Sequence, residues 1–176
     1  MKMHSKTLAV RITQAAKLHG SFRLRSGKVS DSYFDKYQFE AIPELLADIA
    51  EEMRRFIPDG TEVLAGLEMG GIPIVTMLSQ VSGLHSAFIR KTPKEYGTCR
   101  YSEGANLASK RILLIEDVVS SGGAISDAVS MLRSDGIEVS QALCVIDRET
   151  GGYENLEAHG VELLSLFKQS EIDRHA

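Results

Sequence analysis

Ile112-Leu113-Leu114-Ile115-Glu116-Asp117-Val118-Val119-Ser120-Ser121-Gly122-Gly123-Ala124 decides the fold. Four aliphatic residues run without a break into two acids, the pattern of a strand buried on both faces, as parallel strands are. From Ala124 to Leu132 the apolar residues recur at helical spacing. The serines and glycines between the two segments form a strand-to-helix turn. Small residues leave its backbone N–H groups uncovered, and the helix start adds the positive end of a dipole, so the turn suits a phosphate. Glu116 and Asp117 place negative charge beside that phosphate. The combination makes chemical sense when the ligand also offers hydroxyl donors or a metal, as a phosphorylated sugar with Mg²⁺ does.

Working outward, Glu62 to Ala65, 86–90, 111–116, 138–146 and 162–166 read as strands. Helices are expected at about 72–82, 124–134 and 152–159 between them. This alternation predicts an α/β fold with a doubly wound, mostly parallel sheet, in which ligands bind at the carboxyl ends of the strands. Upstream, Thr7 to Leu18 predicts a helix stopped by His19-Gly20, and Pro43 opens another running to about Phe56. Ser21 to Phe39 mixes glycine, serine and aromatics, which suggests short strands and turns forming a hood outside the main sheet. The 176 residues are read as one domain, with about 1–40 and the C-terminal end contributing the hood.

Net charge is −4 and pI about 5.7, which argues against wholesale binding to nucleic acid or an acidic membrane. Cys99 and Cys144 lie in unlike contexts and are expected to be reduced thiols in a cytoplasmic protein. Neither a signal peptide nor a membrane span is legible. The histidines are scattered without metal-ligand spacing.

Three further segments bear on chemistry. Arg90-Lys91-Thr92-Pro93-Lys94-Glu95-Tyr96-Gly97-Thr98-Cys99-Arg100 follows a strand and crowds cations together. Charge runs are usually solvated faces, but this one belongs to a loop of about 20 residues, a length typical of lids. Gly66-Leu67-Glu68-Met69-Gly70-Gly71-Ile72-Pro73 is a second glycine-rich turn, suited either to tight packing or to a second phosphate. Asp147-Arg148-Glu149 ends a strand; it reads as a surface ion-pair cluster, or as an Arg148 fork that holds a carboxylate bidentately.

Taken together, the 116–124 loop, Phe22-Arg23-Leu24-Arg25-Ser26-Gly27, Arg90-Lys91-x-x-Lys94 and Asp147-Arg148-Glu149 resemble the type I phosphoribosyltransferases, and within them the orotate branch. The resemblance spans about residues 15 to 166. It implies transfer of ribose 5-phosphate from 5-phosphoribosyl 1-diphosphate to orotate, in pyrimidine synthesis. It implies Glu116, Asp117 and Lys94 as catalytic residues. Arg90, Lys91, Lys94, Tyr96 and the run Glu116, Asp117, Val118, Val119, Ser120, Ser121, Gly122, Gly123, Ala124 would bind the sugar diphosphate, and Ser120, Arg148 and Arg25 would bind orotate. Mg²⁺ would be held mainly by the substrate, without direct side-chain ligation. The protein would be a homodimer whose lid reaches the neighbouring site. Tyr96 stands where the family often has His, Ser120 where it often has Thr, and Gly70 where some members have Lys. A transferase for another base, and a regulator that senses the sugar diphosphate, are the alternatives. The missing basic recognition module disfavours the regulator.

Overall fold

The computed structural model describes residues 2–23, 27, 29–92 and 101–174, with the backbone alone for 2–6. Leu8, Ile12 and Ala16 recur every fourth residue on helix α1 (Lys2–Ala16) and are buried, which seats the helix on the core. The helix ends two residues earlier than its sequence pattern suggests. Lys17 already begins strand β1 (Lys17–Arg23), and Gly20 lies inside that strand at an irregularity between His19 and Phe22 rather than at a helix terminus. β1 pairs antiparallel with β2 (Val29–Phe34) to form the two-stranded hood outside the main sheet. Asp35 caps the short helix α2 (Lys36–Glu40), accepting from the Tyr37 N–H at 3.2 Å. α3 (Pro43–Met53), with proline in its first turn, leads through a 3₁₀ turn (Arg54–Phe56) to the sheet.

The main sheet holds β3 (Val63–Leu67), β4 (His85–Ile89), β5 (Ser102–Gly104), β6 (Ile112–Val119), β7 (Gln141–Asp147) and β8 (Glu162–Lys168) in the order β5-β4-β3-β6-β7-β8. Helices α4 (Gly71–Ser82), α5 (Gly123–Ser134) and α6 (Gly152–Ala158) connect its strands, and α7 (Gln169–Asp173) follows it. All pairings are parallel except that of β5, a short edge strand inside what reads in sequence as an unbroken loop. α7 is likewise absent from the sequence pattern, since five residues are too few to display a helical period.

Apolar layers cover both faces of the sheet. Ile112 and Leu114 pack with Ile125, Val129 and Leu132 of α5 on one face. Leu113 and Ile115 pack on the other with Ile49 of α3, Leu78 of α4 and Ile12 of α1. On α5 the buried positions Ile125, Ala128, Val129 and Leu132 follow the i, i+3, i+4, i+7 rule of a helix laid on a sheet. β6 runs three residues further than expected, through both acids to Val119. That extension matters for the site, because it carries both acids on the strand.

Candidate active site

β6 is central in the sheet, so its carboxyl end opens at the point where neighbouring loops diverge. Gly122, in a left-handed conformation (φ 75°), turns the chain out of Ser120-Ser121 and starts α5 without any side-chain cap. The first N–H groups of a helix have no partner within it, so the start of α5 presents free donors. They face an open cavity of about 360 Å³ whose walls are Ser120 to Ile125, Glu116, Val118 and Val119, together with Glu68 and Met69 of the glycine-rich turn and Lys36 and Tyr37 of the hood.

The two acids part company. Glu116 lines this cavity. Asp117 does not: its side chain is wholly buried beneath the wall, with Lys36 Nζ 2.7 Å from Oδ2 and 3.0 Å from Oδ1. The longer β6 carries both acids, and their carboxyl groups stay in hydrogen-bond contact although only Glu116 lines the cavity. Glu40, on α2, reaches the same buried carboxylate. Burial, then the hydrogen bond to Asp117, pushes the Glu40 carboxyl up to about 9, so Glu40 is protonated at neutral pH and donates. Glu116 is also pushed well above the usual carboxylate range by burial and by Asp117. Burial opposes the charge on Asp117, but hydrogen bonds from Glu116, Glu40 and Lys36 outweigh it and hold this carboxyl below its ordinary value. Burial likewise works against the Lys36 charge, and the hydrogen bond and ion pair with Asp117 overcome it, so the ammonium titrates above its ordinary value.

The turn between β3 and α4 owes its glycines to packing. A Cβ at Gly70 would fall on the Asp117 carboxylate, and one at Gly71 on the carbonyl oxygen of Ile115. The backbone therefore lies directly on β6, with the Glu68–Met69 peptide bond cis. Arg90 and Lys91 line an adjoining cavity that shares Glu68 and Ala124 with the first; Arg90 Nε is 3.3 Å from Glu103 Oε1. Lys94 and Tyr96 lie outside the described residues, as does Arg25.

Arg148 lies at the end of β7 and donates its backbone N–H to the Val119 carbonyl at 2.8 Å, one residue before Ser120. Its guanidinium carbon sits 5.9 Å from the Phe34 ring centroid, and the side chain faces a cavity of about 350 Å³ between the hood and α7. Arg148 is thus not part of a surface ion-pair cluster. Among the described residues Asp147 is buried, and Glu149 turns away to accept the Ser170 N–H at 2.7 Å. Ser120 and Arg148 line different cavities, joined through the backbone by the Arg148 N–H on the Val119 carbonyl.

Lys36, Glu40 and Asn155 are the site neighbours that the sequence pattern does not single out. The capping Asp35 is a local sign that Lys36 opens a helix, but nothing local connects it to a residue 81 positions away.

The phosphoribosyl transferase domain family matches residues 35–166. An orotate phosphoribosyltransferase of Nocardioides sp. is 47% identical over 167 residues, covering 95% of this chain and 93% of that protein. The fold superposes on a crystal structure of Mycobacterium tuberculosis orotate phosphoribosyltransferase in complex with Fe(III) dicitrate with a TM-score of 0.86, at 29% identity over 96% of this chain and 98% of that one. A crystal structure of the same enzyme in complex with 5-phospho-alpha-D-ribosyl 1-diphosphate gives a TM-score of 0.83, at 25% identity over 97% and 99% of the two chains. With a buried parallel strand delivering an uncapped helix start and an acid into one cavity, and with relatives of this likeness along nearly its whole length, the chain belongs to the phosphoribosyltransferase family, in its orotate phosphoribosyltransferase branch.

Proposed function

We propose that the chain transfers the phosphoribosyl group of 5-phosphoribosyl 1-diphosphate to orotate, releasing diphosphate and forming orotidine 5′-phosphate for pyrimidine synthesis. The observation that carries this reading is the cavity shared by the open N-terminal turn of α5 and Glu116. Ser121 to Ala124 bind the 5′-phosphate through backbone donors, with the helix dipole adding to the attraction. Glu116 takes the ribose hydroxyls, and Asp117 supports the site from beneath through Lys36. Arg90, Lys91, Lys94 and Tyr96 close over the diphosphate. Arg148, with Arg25, holds the orotate carboxylate, and Ser120 assists at the base.

The reaction breaks the bond between ribose C1 and the diphosphate oxygen, whose electron pair leaves with diphosphate. The ring nitrogen of orotate bonds to C1 and its proton is lost. Positive character builds on the ribose while negative charge gathers on the leaving group, so catalysis rests on position and electrostatics rather than on a protein nucleophile. Cations near the diphosphate match that separation of charge, and the Glu116 carboxyl is placed to meet the ribose hydroxyls. Mg²⁺ would be held mainly by the substrate's own oxygens, with the Glu68 and Glu116 carboxyl groups as hard oxygen donors in the cavity wall. When bound it supplies Lewis-acid neutralisation of the diphosphate.

The functional unit in this reading is a homodimer whose lid serves the neighbouring cavity. It works in the cytoplasm, where the free, buried Cys144 stays reduced. Among the described residues no helix is long and apolar enough to cross a membrane. The test is an absorbance assay of orotate consumption by purified protein with 5-phosphoribosyl 1-diphosphate and Mg²⁺, with uracil, adenine and hypoxanthine in parallel. Turnover of orotate alone is expected. Turnover of a different base would keep the phosphate site and overturn the assignment of Arg148.

A further inference from the structure

Among the described residues that line the cavity of the α5 helix start, Lys36 is the only cation, and it faces two acids, Glu68 and Glu116. A ligand bearing several phosphates calls for a cation there. Lys36 is well placed to be that cation. Asp35 caps α2 and so fixes the backbone at its first residue. The Lys36 ammonium is clamped on Asp117, 3.0 Å from Oδ1 and 2.7 Å from Oδ2. An ammonium has three N–H donors, and the two carboxylate oxygens engage at most two of them. At least one is left over from the carboxylate, on an ammonium 5.2 Å from the Tyr37 ring centroid and a side chain still about one-third exposed (32%).

The turn that lies beside this pair is identified by Gly70. Asp117 occupies the space a side chain at position 70 would need, so the turn Glu68–Gly71 lies against the very carboxylate that holds Lys36. No cation can come from position 70 itself. Arg90 and Lys91 line the adjoining cavity, which shares Glu68 and Ala124 with this one.

We propose that Lys36 is a substrate-binding residue, contributed by the hood and clamped by Asp117, that reaches the diphosphate group of the ligand at the Glu68–Gly71 turn. This rests on the phosphoribosyl-transfer reading given above. It gives the Lys36–Asp117 pair a purpose: the carboxylate positions a cation across the junction of hood and sheet.

The experiment compares Lys36→Met and Lys36→Arg with the unaltered protein. Steady-state kinetics are measured in both substrates, inorganic diphosphate binding by calorimetry, and thermal unfolding as a check on the fold. Lys36→Met is expected to raise the KM for 5-phosphoribosyl 1-diphosphate about tenfold or more, the effect of losing a charge-assisted contact, and to weaken diphosphate binding in proportion. The KM for orotate should move less than about twofold, and Lys36→Arg should recover most of the loss. A purely structural Lys36 would not split the two KM values in this way. Because Lys36→Met strands a buried charge, the double variant Lys36→Met/Asp117→Asn removes both members of the pair. Normal diphosphate affinity in a folded Lys36→Met or double variant overturns the proposal. If the unaltered protein consumes orotate while Lys36→Met matches it in every constant, Lys36 fails and the transferase reading stands. If the unaltered protein consumes no orotate but Lys36→Met lowers diphosphate affinity, the base assignment fails and the role of Lys36 stands.

Discussion

The side-chain amide of Asn155 donates to the main-chain carbonyl of Ser121 at 2.9 Å and approaches Ser126 Oγ at 3.3 Å. The phosphate-type loop is thereby braced by α6. The brace is close-fitting: a Cβ at Gly152, the first residue of α6, would lie 2.5 Å from the Ser120 carbonyl oxygen. Backbone donors bind an anion well only when they are already aimed, so rigidity here bears on affinity.

Asn155→Ala removes that brace while leaving every cavity-lining side chain in place. Unfolding should cost about 1 kcal/mol less, the worth of one such hydrogen bond, and the KM for 5-phosphoribosyl 1-diphosphate should rise several-fold with orotate affinity kept. Denaturant titration and steady-state kinetics read the two effects separately. An unchanged KM would mean that the loop holds its shape without α6.

Arg148→Leu keeps much of the side chain's apolar contact with Phe34 but removes the guanidinium. Orotate binding, followed calorimetrically, should weaken by about 2 kcal/mol or more, as expected for a lost bidentate pair, while sugar-diphosphate affinity stays within about twofold. Arg148→Lys should not restore it, because an ammonium lacks the planar fork. Unaltered orotate affinity in the Leu variant would remove Arg148 from the base site.

The raised carboxyl of Glu40 has a definite consequence for stability. A protonated Glu40 belongs to the folded state up to about pH 9, whereas the unfolded chain releases that proton near the ordinary value of 4.5. Between those limits the folded state binds more protons, so the contribution of Glu40 is full below about 4.5 and is lost as pH rises towards about 9. Glu40→Gln keeps the hydrogen-bond donor and removes the titration. Its unfolding midpoint should fall less steeply than that of the unaltered protein between pH 5 and 9. Parallel slopes in thermal scans across that window would show that Glu40 does not hold the proton.

Gly70→Ala sets a methyl against the Asp117 carboxylate. The overpacking should destabilise the fold by about 1–3 kcal/mol and displace the ion pair with Lys36, raising the KM for 5-phosphoribosyl 1-diphosphate at the same time. Chemical denaturation with parallel kinetics tests both effects; full stability with normal kinetics would show that the turn has room to move.

Much of the architecture is legible in local patterns. The aliphatic run Ile112 to Ile115 and the spacing of Ile125, Ala128, Val129 and Leu132 are consequences of burial that any reader of the chain can see. Glycine and serine at 120–123 mark the turn for the same reason, since only small residues leave backbone donors uncovered. What misleads is local evidence outweighed by pairing. Lys17 and Leu18 continue a helical pattern, yet they join β1 because β2 offers them partners in Phe34 and Tyr33. Ser102–Gly104 looks like loop until β4 supplies an antiparallel neighbour.

The site divides along the same line. That a phosphate-type turn follows a buried strand, that acids precede it and that an arginine ends the next strand are properties of short stretches, and short-range chemistry determines them. That Asp117 is fully buried while Glu116 lines the cavity was decided by what packs around the end of β6. The union of Lys36, Glu40, Gly70 and Asp117 arises only where α2, the turn before α4 and β6 meet. Charge, burial and proton sharing depend on distances in space, and residues 81 positions apart acquire such a distance only when the chain has folded.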